Sequence, residues 1–294
     1  MPESTIHFVS VIVPHYNDFY HLQHCLESLR HQNLPRQRYE IIVADNNSVG
    51  GVQAVEEIAG EDVIVVPAPE QGAGPARNAG VAASRGNILA FIDSDCRADP
   101  NWLVEGVTAL ERFDYVGGQV VTVTGQGSEM TAAEAVEAVF AFNFKKYIEK
   151  GGFSGSGNFF VPRAIFGRVG GFRAGVSEDM DWCRRANAIG FRLGYAEEAI
   201  VFHSARREWR ELKAKWDRIL VETIQLTQEQ PGWRLRWIGY AIVVGASPLA
   251  HWITVLRSPR LIGLRAKCCG LCGLVRIRGY RSCRMLRLIL HPRR

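Results

Sequence analysis

Residues Asn87 to Asp95 read NILAFIDSD: five consecutive apolar residues, Ile88 to Ile92, stop abruptly at two aspartates one residue apart. An uninterrupted apolar run of this length predicts a strand buried on both faces, as in a parallel sheet. The chain then turns out of the sheet at Asp93, Ser94 and Asp95, where carboxylates face solvent or a ligand. Two hard oxygen donors at a strand end suit Mg²⁺ or Mn²⁺ held jointly by protein and phosphate oxygens, an arrangement that neutralises a nucleoside diphosphate. The plainer reading is a solvated acidic turn ahead of Pro100, because Asp and Ser are ordinary turn residues. The neighbouring segments decide between the two.

Upstream, apolar runs alternate with helical stretches. Phe8 to Val13, Ile41 to Ala44 and Val63 to Val66 read as further buried strands. Between them, 19–32 carries Leu22, Leu26 and Leu29 at helical spacing, 52–58 reads as a short helix and 74–84 as another. Such alternation predicts the α/β class, with a mostly parallel sheet covered by helices. Ligands of these sheets bind beyond the carboxyl ends of the strands. The polar clusters fall there: His15, Tyr16, Asn17 and Asp18 follow the first strand, Asp45, Asn46, Asn47 and Ser48 the second, and the aspartate pair the fourth. Three separate loops thus offer donors and acceptors to one crevice.

Downstream the pieces are longer and less regular. Thr131 and Glu134 form a capping box that opens a helix running to about Lys150. The glycine-rich GGFSGSGNFFVPRAIF, 151–166, suits a bend and a strand on the crevice floor. A helix starting at Ser177 or Glu178 and ending at Gly190 would bury Trp182, Ala186 and Ile189. Ala199 to Phe202 is a last strand, followed by His203, and 206–230 is mostly helical.

The segments VSVIVPHYN, IIVADNNS, GAGPARNAGVAASRGNILAFIDSDCRADPNWL, SGNFFVPRAIFGRVGGF, SEDMDWCRR and VFH, in that order, resemble the family 2 glycosyltransferases of GT-A fold, over about residues 8–205. The resemblance implies a Rossmann-like nucleotide-sugar domain at 1–205; the residues beyond it read as a helical connector at 206–230 and a basic, apolar, membrane-associating C-terminal region at 231–294. It implies that Pro14, Tyr16 and Asn17 form the first nucleotide-contacting loop, that Asp45 recognises the base, and that Arg77 supports nucleotide and phosphate binding. Asp93 would contact ribose or metal, Asp95 would ligate Mg²⁺ or Mn²⁺, and His203 would join it near the diphosphate. Ser94, Asn158 and Glu178 complete the implied donor-binding set. Asp179 would be the general base that takes the proton from an acceptor hydroxyl attacking the anomeric carbon, with inversion.

The residues themselves permit plainer roles. Pro14 can end its strand, Tyr16 can be a rim aromatic, and the glycines of GAGPARNAG can simply permit a turn. A guanidinium at Arg77 can bridge phosphate oxygens or pair with an aspartate of the metal site. Carboxylates at Glu178 and Asp179 are favoured by a helix N-terminus in any protein. Two departures from the family pattern matter. Val49, Gly50 and Gly51 stand where members often carry an aspartate after the serine matched by Ser48, and the Gln-x-x-Arg-Trp signature of processive synthases is absent, so single sugar addition is expected.

The formal charge of +5 conceals a division. Residues 1–230 hold 22 basic and 30 acidic residues, a net −8, whereas 231–294 hold 13 basic and no acidic ones. Trp237 to Leu256, WIGYAIVVGASPLAHWITVL, lacks any formal charge and is flanked by Arg234, Arg236, Arg257 and Arg260. It is long enough to span a bilayer, yet Ser247, Pro248 and His251 equally suit an interfacial helix, a re-entrant hairpin or a helix packed on the main domain. The following segment alternates apolar groups with arginine, as expected on an anionic membrane surface; no recognition fold favours nucleic acid.

Seven cysteines, an odd and scattered set, argue for a reducing compartment, with packing or lipid contact for Cys268, Cys269, Cys272 and Cys283. MPESTIHFVSVIVP has neither the basic start nor the apolar core of a signal peptide. The expected activity is therefore metal-dependent, inverting hexosyl transfer from a nucleotide-diphosphate sugar to a hydroxyl of a glycan, lipid-linked, in polysaccharide or glycolipid synthesis at the cytoplasmic face of the cell membrane. Transfer to polyprenyl phosphate, a nucleotidyltransferase, and a non-catalytic nucleotide-sugar-binding membrane scaffold are the alternatives.

Overall fold

The computed structural model describes residues 7–125 and 130–290. Residues 1–6, part of the segment that does not read as a signal peptide, and 291–294, the end of the basic region, lie outside the described residues. The first half alternates as expected: β1 (Val9–His15), α1 (Phe19–Arg30), β2 (Tyr39–Asp45), α2 (Gly51–Ala59), β3 (Ile64–Pro67), α3 (Ala73–Ala83) and β4 (Ile88–Ile92). Here β1 pairs in parallel with both β2 and β4, and β2 with β3. Then come β5 (Cys96–Ala98), α4 (Trp102–Ala109), β6 (Tyr115–Val123), α5 (Ala132–Phe140), α6 (Phe144–Gly151), β7 (Asn158–Pro162), α7 (Arg163–Val169), α8 (Glu178–Ala188) and β8 (Leu193–Ser204). The chain closes with α9 (Trp209–Gln228), α10 (Trp233–Ala246), α11 (Pro248–Arg257) and α12 (Gly263–Leu290).

The strands form one sheet in the order β3-β2-β1-β4-β7-β6-β8-β5. It is mixed rather than mostly parallel: β4–β7, β6–β7 and β5–β8 pair antiparallel.

Two compact units result, one holding the chain up to Val121 with Asn143–Ala174 and Glu178–His203, the other Thr122–Phe142, Gly175–Ser177 and the chain from Ser204 onward. The expected connector and basic region thus fall into one unit, together with α5. In the first unit, α1 buries Leu22, Cys25, Leu26 and Leu29, the helical spacing of one apolar stripe, and Asp18 caps it by accepting the His21 N–H. Behind the sheet, Trp182 packs on Tyr115, Phe159, Phe166 and Phe172 with ring centroids 5.3–6.2 Å apart, and its indole N–H donates to Gly170 O at 2.8 Å.

Two expectations need correction. The helix opened by the Thr131–Glu134 capping box stops at Phe140, because Phe142 turns left-handed at φ 53° and Asn143 caps a new helix by accepting the Lys146 N–H. Ile189 is 51% exposed, because α8 ends at Ala188 one residue earlier. The uncharged stretch 237–256 is broken at Ser247, where Pro248 opens α11 at the one position a helix tolerates proline well. No single helix among the described residues is long and apolar enough to cross a membrane; α10 and α11 pass that test only as a pair bent by 44°.

Candidate active site

The ends of β1 and β2 are level, since His15 pairs in register with Asp45, and in-register parallel neighbours point to the same face. The loops beyond them are stitched together. Asn17 adopts φ 56°, a left-handed conformation that Asn tolerates, and its N–H donates to Ser48 Oγ at 2.9 Å while its Oδ1 accepts the Val49 N–H at 2.8 Å. Asp45 is buried below this loop and accepts the Ser48 N–H at 3.3 Å. Pro14 lies one residue inside the end of β1, opposite Ala44, and Tyr16 is exposed at the rim. From sequence, His15 was one member of the polar cluster after the first strand, with no role of its own. It is buried, its ring lies 5.2 Å from that of Phe19, and neither ring nitrogen has a hydrogen-bond partner. Burial lowers its pKa against the opposing pull of Asp45 and Asp18.

Of the two roles open to Arg77, the structure shows the ion pair. Its side chain is 3% exposed, Nη2 donates to Asp93 Oδ1 at 2.6 Å and Nη1 to Glu178 Oε1 at 2.7 Å. Burial disfavours the guanidinium charge, but Asp93 and then Glu178 outweigh it and raise the pKa further. This bridge joins the end of β4 to the first turn of α8. Two glycines make room for it. A Cβ on Gly74 would lie 3.2 Å from Glu178 Cβ and from the Arg173 carbonyl, and one on Gly157 would collide with the Asp93 carboxylate. Gly157 is a site residue that sequence reading missed, although the SGSGN spacing marked the bend.

Glu178, Asp179 and Asp181 share the first turn of α8. Asp181 is buried between Arg173 and Arg185, both at 2.9 Å, and is structural. Asp179 sits between the two arginine-bound acids, with Oδ1 accepting the Met180 N–H at 2.6 Å, and is near enough to Arg77 to favour its charge.

Asp95 and His203 meet through the sheet. Cys96 pairs with His203 across β5 and β8, which sets Asp95 Oδ2 3.1 Å from His203 Nε2. Two adjacent ligands on an octahedral cation, each at about 2.1 Å, stand about 3.0 Å apart, so the observed separation fits shared coordination. One carboxylate and one imidazole leave the remaining positions to phosphate oxygens and water, the usual economy of Mg²⁺ and Mn²⁺ sites. Among the described residues no group of three or more His, Cys, Asp or Glu forms a self-sufficient metal cage.

Ser94 lies half-buried in the turn between the aspartates. Asn158 departs from its expected donor-binding role. It is fully buried, accepts the Trp102 indole N–H at 2.9 Å, and donates to Gln119 O at 2.9 Å and Ala199 O at 2.8 Å, so both amide protons are engaged in tying β7 to β6 and β8.

Residues 10–176 match the family model described as glycosyl transferase family 2. The chain belongs to that family. It is a glycosyltransferase of GT-A fold. Glycosyltransferase AglE of Haloferax volcanii is 34% identical over 260 residues, which cover 86% of this chain and 82% of the relative. Pre-mycofactocin glycosyltransferase of Mycobacterium tuberculosis is 25% identical over 88% of this chain and 58% of its own length. Among solved structures, the mannosyltransferase PcManGT of Pyrobaculum calidifontis, in complex with GDP-Man and Mn²⁺, superposes with a TM-score of 0.60 at 17% identity over 96% of this chain and 86% of that one. S. aureus TarS 1–349 with UDP-GlcNAc gives 0.53 at 17% identity, over 93% and 90%. At such identities the likeness establishes the shared fold.

Proposed function

We propose that this glycosyltransferase moves one sugar, with inversion, from a nucleoside-diphosphate sugar to a hydroxyl of a lipid-linked glycan, using Mg²⁺ or Mn²⁺. The observation that carries the reading is the convergence in one unit of Asp95 with His203, of Arg77 with Asp93, and of Asp179 on the α8 first turn. Structural neighbours bound to GDP-Man with Mn²⁺ and to UDP-GlcNAc support the donor class.

Asp95 and His203 would hold the cation, which when bound supplies positive charge for the diphosphate. The interlocked Asn17–Ser48 loops and Asp45 hold the nucleoside end, with Pro14 and Tyr16 along its rim. Arg77 keeps Asp93 and Glu178 fixed and offsets part of their charge, so the site is organised before the donor arrives. Asp179 takes the proton from the acceptor oxygen as it attacks the anomeric carbon, and the nucleoside diphosphate leaves from the opposite face. The lipid-linked reading of the acceptor rests on the basic, acid-free segment 231–294, which would bring the enzyme to the cytoplasmic face of the membrane where such acceptors are anchored.

General-base catalysis contributes about 10² to 10⁴ in rate. Asp179→Asn is therefore expected to lower transfer by about that factor while nucleotide affinity in Mn²⁺ stays within about twofold of the parent. Equal loss of affinity would make Asp179 a binding residue. Retained transfer would point instead to an acceptor that is already anionic, such as polyprenyl phosphate.

A further inference from the structure

The 28-residue helix α12 carries two apolar faces where one would suffice. Its inner face is satisfied within the second unit: Ala266, Leu274 and Ile277 join the cluster around Val136, Leu212 and Val255, and Met285 and Leu288 pack with Trp237 and Ile224. Close approach is built in, since a Cβ on Gly273 would collide with the Ala132 carbonyl of α5.

The opposite face is exposed and also apolar. At 3.6 residues per turn, Leu264, Cys268, Cys272 and Val275, then Leu286 and Leu290, fall within one arc of about 100° on a helix about 42 Å long, with Gly279 and Ser282 between the two groups. Leu264 is 79% and Val275 61% exposed, and Cys268, Cys272 and Cys283 are exposed free thiols in the same arc. Arg265, Arg276 and Arg287, all exposed, line one edge of it. An apolar stripe of this length is not needed to fold the unit and is unfavourable in water.

We propose that α12 lies in the plane of an anionic membrane, with this stripe in the headgroup–acyl boundary and the edge arginines on lipid phosphates. Charge complementarity selects the occupant, since 231–294 hold 13 basic and no acidic residues. Exposed Tyr240 and Trp252 on α10 and α11 add the aromatic residues that favour the same boundary. Nucleic acid would use the arginines but gains nothing from a row of leucine, valine and cysteine. The inference extends the lipid-linked reading of the acceptor from a charge balance to a defined surface, and rests on that reading only for what the surface serves.

The exposed thiols report on it directly. In buffer, a charged maleimide should label Cys268, Cys272 and Cys283 in the full chain, and leave the buried Cys25, Cys96 and Cys183 unlabelled. Vesicles of phosphatidylcholine with about 30% phosphatidylglycerol should bind the protein and slow labelling of the three by about tenfold, with neutral vesicles much weaker. Leu264→Glu with Val275→Glu, both at exposed positions, should keep the thermal melt and Mn²⁺-dependent nucleotide affinity and lose vesicle affinity by about a hundredfold. Unchanged labelling on anionic vesicles, equal binding to neutral ones, or protection by a single-stranded RNA but not by vesicles would overturn the inference. Vesicle protection in a chain that binds no nucleotide sugar would uphold it and refute the proposed transfer reaction instead.

Discussion

Replacing Arg77 with methionine removes a buried cation from between two carboxylates while keeping most of its aliphatic volume. Deleting one partner of a buried ion pair typically costs about 3–5 kcal/mol, much of it the uncompensated charge left behind. The two arms here are unequal. Asp93 is 40% exposed, so water can take over its solvation and that arm is discounted to about 1 kcal/mol or less. Glu178 is only 16% exposed and cannot be resolvated without moving the α8 first turn, so its arm is set at about 2 kcal/mol. Arg77→Met should therefore lower stability by about 3 kcal/mol in urea denaturation. It should also weaken nucleotide affinity by at least about tenfold, because Asp93 and Glu178 would repel each other and the diphosphate. Arg77→Lys keeps the charge but cannot span both carboxylates, and should recover about half of each effect. A methionine variant within about 0.5 kcal/mol of the parent, with unchanged nucleotide affinity, would refute the claim that this bridge organises the site.

Other consequences follow from the same geometry. Glu137, buried and paired with Lys215 at 2.6 Å and Arg206 at 3.3 Å, has its pKa lowered despite burial pushing the other way. Its folded pKa lies below its unfolded one, so its contribution is complete above the ordinary value of 4.5 and is lost as pH falls through and below it. Glu137→Gln should cost about 3 kcal/mol at pH 7 and flatten the acid side of the stability–pH curve. Gly157→Ala should cut nucleotide affinity by at least about tenfold by displacing Asp93. Gly167→Ala, where a Cβ meets nothing within 4 Å, should be neutral or slightly stabilising, which calorimetry and nucleotide titration would check.

The parallel half of the sheet was legible because its strands are short apolar runs between helical stripes; β4 spans Ile88–Ile92 as the pattern alone places it. The strand-end clusters were legible for the same reason, since polar loops after successive parallel strands must share one edge. In the antiparallel half, β7 and the Ala199–Phe202 part of β8 were legible too, but β5 and β6 were not. In β6, Gly117 and Gly118 resemble a turn, but they are glycine because a Cβ on Gly118 would strike the Ala199 carbonyl and Asn158, and one on Gly117 would strike Ser154. Those neighbours are distant in sequence, so no local pattern reveals them. Asn158 misled for a similar reason: its motif position was visible, but not the Trp102, Gln119 and Ala199 groups that engage its amide. The turn at Phe142 likewise places a bulky residue at positive φ, which propensity alone argues against.

The most direct test is a crystal structure with a nucleoside diphosphate and Mn²⁺, the cation located by its anomalous scattering. The expected result is a single peak about 2.1 Å from both Asp95 Oδ2 and His203 Nε2 and also bonded to the diphosphate, with Asp179 facing the sugar position. A nucleotide bound elsewhere, or a cation bonded to neither Asp95 Oδ2 nor His203 Nε2, would contradict it.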